Sequence, residues 1–350
     1  MLFELYDINI EVAVLQFAFG AILGSIFGGL GLLSRFCLHR AVVGPSNERQ
    51  SAKAVWATAL ICAVFCTGLL QHFGMIDVED HRLLSNRLPI FSIVFGGIFF
   101  GIGMSLTRGC TSRLTILAAT GNLRGLFVLM VFAMIAHATL KGVLAPLHTF
   151  LGSFKLNLPY AGFSELYGGS IVWSIVLIAI ASTWAVRSGI SGKMLMISGL
   201  IGALIPLGWF GTSVFLVDPF DPSPTQTFSF TLPWSEFLFW MIASTSITPS
   251  FGPGLICGVM IGSFSVAFWS GRLKLKGFSE PQEIVRYGLG AALMGFGGVL
   301  AGGCTVGAGL AGTSVLSFAA FLALGSIVFG ALLMQILSKV KYFPISSLND

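Results

Sequence analysis

The sequence predicts an all-α polytopic membrane protein. It should have about nine spanning helices, several short re-entrant ones, and two pseudo-symmetric halves in inverted orientation. Three observations predict this. Hydrophobic residues make up 55% of the 350 and charged residues only 9%, with a mean hydropathy of +0.91; a soluble domain carries about 25% charged residues. Apolar runs of spanning length recur along the whole chain. Finally, Gly101-Ile-Gly103-Met-Ser-Leu106-Thr-Arg108-Gly109-Cys110-Thr111 reads as a copy of Gly295-Phe-Gly297-Gly-Val-Leu300-Ala-Gly302-Gly303-Cys304-Thr305, agreeing at six of eleven positions.

The spanning runs fall at about 12–33, 55–76, 123–147, 170–187, 194–217, 252–270 and 316–338, each near the roughly 20 residues that cross a bilayer core. Shorter or broken runs lie at 89–107, 111–119, 235–248 and 287–314. The chain opens with Glu4, Asp7 and Glu11 rather than lysines, unlike a cleaved signal peptide. Basic residues gather in short loops: Arg35, Arg40, Arg49 and Lys53; Arg187 and Lys193; Arg272, Lys274, Lys276 and Arg286; Lys339 and Lys341. The positive-inside rule places these loops in the cytoplasm. The acidic opening and the stretch with Asp218, Asp221 and Glu236 belong outside. The net charge of +5 therefore reflects topology and not nucleic-acid binding.

A glycine ladder, Gly20-x3-Gly24-x3-Gly28, matches a second, Gly254-x3-Gly258-x3-Gly262. Close helix packing of the small-xxx-small kind accounts for both. From ladder to cysteine motif the first half is longer by 40 residues, which holds the extra span at 55–76. That crossing inverts whatever follows, so the Cys110 hairpin should enter from the outer face and the Cys304 hairpin from the inner face. Residues 1–350 are read as one integral membrane domain. Within it, 12–150 is the first repeat half, 170–248 the connecting helices and 252–338 the second half.

No phosphate-binding loop, HExxH, paired-cysteine metal signature or nucleophile elbow occurs in the sequence, and no cofactor or metal is expected. All fourteen carboxylates lie in loops, termini or segment edges, which argues against cations as cargo. What remains at depth is cationic and soft. Arg108 and Arg113 bracket Cys110, and Arg124 opens the next segment. A charge near mid-bilayer costs about 2.5–3.5 kcal/mol even on the lenient insertion scale, so the three arginines together point to a compensating anion. Arg108 is assigned to the pathway. Arg113 and Arg124 are read first as snorkelling to an interface, and His137 with Lys141 as a helix-end pair. Free amides at breaks near Gly109 and Gly303 also attract anions. Cys62, Cys66 and Cys257 are read as small packed hydrophobes. Cys110 and Cys304, in matched turns with Thr111 and Thr305, are read as functional. Cys37 is left open between the two.

These motifs resemble those of the YeeE/YedE membrane family of sulfur-compound transporters. The resemblance is carried by Arg35-Phe36-Cys37, by Arg108-Gly-Cys110-Thr-Ser-Arg113 with Gly121-Asn122-Leu123-Arg124, and by Ala301-Gly-Gly-Cys304-Thr-Val-Gly307-Ala-Gly309-Leu-Ala-Gly312. It implies an hourglass-like, multi-pass protein of the bacterial inner membrane in which short helices align three cysteines along a narrow path. It implies thiosulfate or a related sulfur anion as cargo, with Cys110, Cys304 and Cys37 as relay points. Arginine stands at 108 and 113 where thiosulfate-uptake members often have small residues, which marks a subgroup with altered cargo or handling. Any cytoplasmic sulfur-carrier or sulfurtransferase partner would be a separate chain. The thiols are expected to act neutral, as weak S–H donors to a soft terminal sulfur. Two other readings are weighed beside transport. One is a membrane sensor or sulfur-delivery platform passing a signal or sulfane sulfur to a partner, docked at Arg272–Arg286 or the tail from Lys339. The other is a membrane sulfurtransferase with Cys110 as nucleophile.

Overall fold

A computed structural model describes residues 12–76, 84–165, 169–216 and 225–339. The acidic opening residues, Asp218, Asp221 and Lys341 lie outside them. The described residues are almost wholly helical: α1 (Val12–Ser34), α2 (Leu38–Val42), α3 (Ser46–His72), α4 (Ile90–Leu106), α5 (Thr111–Ala119), α6 (Leu123–Lys141), α7 (Ala145–Ser153), α8 (Gly169–Arg187), α9 (Gly192–Phe210), α10 (Thr231–Ile242), α11 (Phe251–Trp269), α12 (Pro281–Leu300) and α13 (Phe318–Lys339). Two wide π-turn segments, Gly211–Phe215 and Gly307–Gly312, complete them. Seven helical stretches are long and apolar enough to cross a bilayer, so the chain is an all-α polytopic membrane protein.

The short apolar runs become separate elements because each is bounded by a helix-stopping turn. The run at 111–119 is α5 itself, and 287–314 divides into α12, a break and the π-turn segment. Three boundaries differ from expectation. The third helix begins at Ser46 and ends at His72 rather than covering 55–76, because the polar stretch Ser46–Lys53 still carries good helix formers after Pro45. The run from 123 stops at Lys141, where Gly142 turns the chain into α7. The 235–248 run starts earlier, as α10 at Thr231, and so encloses Glu236 within a helix.

Glycines set the packing. A Cβ at Gly20, Gly24 or Gly28 of α1 would press on the backbone of Phe251, Leu255 or Val259 of α11. A Cβ at Gly254, Gly258 or Gly262 would strike the backbone of Phe17, Ala21 or Ser25. Partner numbers rise together, so the two ladders lie parallel and in backbone contact. The helices that carry the duplicated segment cross in the opposite sense. A Cβ at Gly297 would sit 2.5 Å from the Gly96 oxygen, and one at Gly103 2.5 Å from the Gly290 oxygen, so α4 and α12 are antiparallel. Gly101 faces Ile327 and Ala331 of α13, and Gly295 faces Phe132 and Ala136 of α6. The pairs α4–α13 and α12–α6 are thus related by exchanging α4 with α12 and α6 with α13.

The same exchange relates the turns that follow. Asn122 follows Gly121 (φ 98°) and Ser317 follows Leu316 (φ 60°), and each caps the next helix. Asn122 accepts from the Arg124 and Gly125 amides, and Ser317 accepts from the Ala320 amide. One end of the molecule is tied by the Asn122–Lys276 bridge, the other by Gly162–Ser317 and the strand pair Arg87–Leu88 with Leu156–Asn157.

Replacing Gly258 with leucine should force α1 and α11 apart, since overpacking costs at least about 1–3 kcal/mol. Gly325→Ala, placed in open space, should be neutral. Thermal aggregation midpoints of the purified protein check the contrast.

Candidate functional site

Three helices end beside buried cysteines, and each ends in the same way. A residue in the left-handed region stops the helix, one residue follows, and then a cysteine starts the next segment. The stopping residues are Arg35 (φ 52°), Arg108 (φ 57°) and Gly302 (φ 75°). The carbonyls they leave are bonded locally: the Phe36 amide donates to Gly31 and the Gly109 amide to Met104, both at 3.1 Å, and the Gly302 amide to Val299 at 3.1 Å. This is Schellman-type closure. Cys37 and Cys110 then occupy the N-cap positions of α2 and α5 in extended backbone. The Cys304 carbonyl accepts from the Ala308 amide at 2.9 Å, while its sulfur lies 3.4 Å from the Gly307 amide.

The inverted packing brings these thiols together. Cys37 Sγ and Cys110 Sγ are 3.6 Å apart. Cys110 Sγ also meets the Ser112 hydroxyl at 3.3 Å, and the Thr305 side chain, next to Cys304, faces it from the other half. Cys37, Cys110 and Cys304 are 5%, 1% and 0% exposed, so bulk water does not solvate them, and all three are free thiols. The Thr111 hydroxyl is buried without a hydrogen-bond partner, a costly arrangement unless a ligand or water completes it, and the Thr305 hydroxyl has the Cys110 sulfur as its neighbour. Met104, Phe27 and Phe36 are also fully enclosed in this core. The set offers weak S–H donors, hydroxyl donors and the open amides of helix starts, which suits a partly soft anion. Among the described residues, no group of three or more His, Cys, Asp or Glu is placed to hold a metal ion.

The structure sorts the other site residues. Arg113, read from sequence as snorkelling, interacts electrostatically with Cys37 and Cys110 as well as with Arg35 and Arg40. Its Nη1 is buried without a partner. Arg124 lies elsewhere, donating to the Gly277 carbonyl at 2.6 Å and pairing with Glu283 at 3.4 Å, which fastens α6 to the loop before α12 and to the first turn of α12. His137 bonds Ser235 at 3.0 Å and stacks on Phe239, joining α6 to α10. Arg108 is half-buried and acts on His39 of α2, so its clearest role is the left-handed turn. Gly109 and Gly303 differ too. A Cβ at Gly109 would make ordinary contact with Leu114 at 3.5 Å, but one at Gly303 would come within 2.8 Å of the Ala308 amide nitrogen. Ser112 had no assigned role in the sequence reading, because its spacing from Cys110 has meaning only once α5 is known to start there.

A family profile described as sulphur transport matches residues 33–333. The chain belongs to the sulphur transport family. It is similar to two proteins each named Thiosulfate transporter TsuA. The one from Escherichia coli is 25% identical over 333 residues, covering 89% of this chain and 91% of the relative. The one from Spirochaeta thermophila is 24% identical over 324 residues, covering 87% and 93%. Family membership makes the chain a sulfur-compound transporter of the multi-pass membrane class, and all three motif cysteines lie inside the matched region.

Two outcomes follow from this geometry. Mild oxidation should join Cys37 to Cys110, seen as a linked peptide pair in mass spectra, while Cys304 stays free. Arg108→Gly should be more stable than Arg108→Ala by about 1 kcal/mol, because only glycine holds the left-handed turn without strain; paired melting curves check it.

Proposed function

We propose that the protein takes up thiosulfate, or a closely related sulfur anion, across the bacterial inner membrane along a path lined by Cys37, Cys110 and Cys304. The observation that carries the proposal is the convergence of Cys37, Cys110 and Thr305 from three chain segments onto one water-poor point. The printed names of both relatives support this cargo. In this reading α4–α6 and α12–α13 are the inverted halves, and the end with Arg35, Arg272 and Lys276 faces the cytoplasm.

Thiosulfate has a soft terminal sulfur and three harder oxygens. A neutral thiol can donate S–H to the sulfur, whereas a thiolate would repel the ion. Hydroxyls and helix-start amides can serve the oxygens. Binding must stay weak enough for release, which favours several modest donors over one strong site. No covalent bond to the cargo is needed, so the cysteines act as relay points and not as nucleophiles.

Uptake of labelled thiosulfate into proteoliposomes tests this. Wild type should accumulate label. Cys110→Ala and Cys304→Ala should each lose most of the uptake while folding normally, and wild-type vesicles that take up none would refute the proposal.

A further inference from the structure

Arg113 stands out as a charge with nothing to balance it. Glu48 is the carboxylate of this region, and it is held by Arg35 at 3.5 Å and Arg40 at 3.1 Å. Among the described residues no ion pair involves Arg113, and its Nη1 is buried without a hydrogen-bond partner. A guanidinium stays protonated at any physiological pH, so it cannot escape burial by neutralising. An uncompensated buried charge is strongly destabilising. Arg113 as a whole is half-buried, so the enclosed Nη1 is the atom that favours a negative group beside it. Arg113 lies in the first turn of α5, two residues from Thr111, whose hydroxyl is fully buried and unpartnered. Beside the Cys110 thiol, from the other half, is the 1% exposed Thr305 hydroxyl, whose neighbour is that sulfur. The helix start adds its own open amides and positive dipole end.

We propose that the first turn of α5 is a holding station for a doubly charged oxyanion, with Arg113 as the residue that discriminates two negative charges from one. The inference rests on the transport reading above and adds charge selectivity to it. The ion's oxygens lie toward Arg113 Nη1, Thr111 and Thr305, and its soft sulfur toward the Cys37–Cys110 pair. The Cys110 sulfur lies 3.6 Å from the Cys37 sulfur and 3.3 Å from the Ser112 hydroxyl; in this proposal both thiols stay neutral, so the guanidinium is left for the cargo. A monoanion of similar softness, such as thiocyanate, gains from the thiols but answers only part of the positive potential set by Arg113 and the helix start.

Protection of Cys110 against alkylation, followed on its own peptide by mass spectrometry, tests this with thiosulfate and thiocyanate as probes. In detergent-solubilised full-length protein, Arg113→Gln should raise the half-protecting thiosulfate concentration at least about tenfold, the scale of losing one charge-assisted contact. Thiocyanate protection should change much less, and Arg113→Lys should retain most of the preference for thiosulfate. Thr111→Val, which keeps the shape, should weaken thiosulfate about fivefold through one lost hydrogen bond, and it keeps the test open if Arg113→Gln does not fold. Equal changes for both anions, or unchanged thiosulfate protection in Thr111→Val and Arg113→Gln, would overturn the station. So would slower alkylation of ligand-free Arg113→Gln with thiosulfate affinity intact, which would assign the charge to a thiolate. If wild type is protected by thiosulfate yet carries none in vesicles, the transport reading fails and the station stands.

Discussion

A helix that ends within a membrane protein leaves up to four amides and four carbonyls with neither water nor a further turn to bond them; α4 and α12 end there, and α1 ends at the exposed Arg35 with Cys37 buried just beyond it. The carbonyl side is closed locally by the left-handed residues Arg35, Arg108 and Gly302. The amide side is left to whatever lies beyond the break. For Cys37 and Cys110 no side-chain cap bond closes the N-terminus of the helix they start. An aspartate or serine cap would have satisfied those amides but would have put a charge or a strong acceptor where an anion must pass. A thiol at the N-cap is only a weak acceptor for those amides and presents a soft, weak donor. The rest of the site depends on this arrangement: short helices start around one region, and weakly accepting sulfurs face their first amides, Cys37 toward Arg40, Cys110 toward Arg113 and Cys304 toward Gly307.

Close convergence requires thin helices. The antiparallel crossing of α4 and α12 at Gly96, Gly103, Gly290 and Gly297 leaves no room for a Cβ; the break after α4 lies beside Gly290 and the break after α12 beside Gly96, and the segments that follow the breaks are what meet. This is how Thr305 of one half comes to face Cys110 of the other. The parallel α1–α11 ladder has a complementary effect. It fixes the C-terminal end of α1, and through Arg35-Phe36-Cys37 it delivers the third thiol to within 3.6 Å of Cys110. A side chain as small as alanine on these glycines would displace a sulfur far from the substitution, since packed interiors transmit such shifts.

Much of this was legible in the sequence. Composition and run length gave the membrane class, and the break residues gave α5 to its terminal residues. The parity of crossings between ladder and cysteine motif anticipated opposite directions for the two cysteine-bearing segments, though not which helices pair, and α4 and α12 do run antiparallel. Cys37 was harder to read. Its likeness to Cys110 and Cys304 is conformational, a left-handed residue two positions earlier, and Arg35 and Gly302 share that backbone without sharing a residue type. Arg113 was read first as snorkelling because hydropathy alone cannot distinguish a cation that reaches an interface from one beside the thiols at the start of a nine-residue helix. Arg124, of the same residue type and nearby in sequence, does reach polar partners in the Gly277–Glu283 region. Contacts contributed by a separate loop, 153 residues away for Gly277, leave no local pattern to read.

A station for a dianion also bears on how such a path could carry its cargo. Moving two negative charges inward against an inside-negative potential costs about 4.6 kcal/mol per 100 mV, at about 2.3 per charge. A fixed guanidinium does not alter that total, because it acts equally on entry and exit. It can, however, lower the barrier at the narrowest and least solvated point, where the ion would otherwise shed its water against neutral groups. Too strong a charge would trap the ion, so a single arginine among weak thiol donors is a reasonable compromise between entry and release. The net drive must then come from outside the path, from a concentration gradient or from consumption of the sulfur compound once inside. The protein's own contribution is to choose which anion passes, by softness at the thiols and by charge at Arg113.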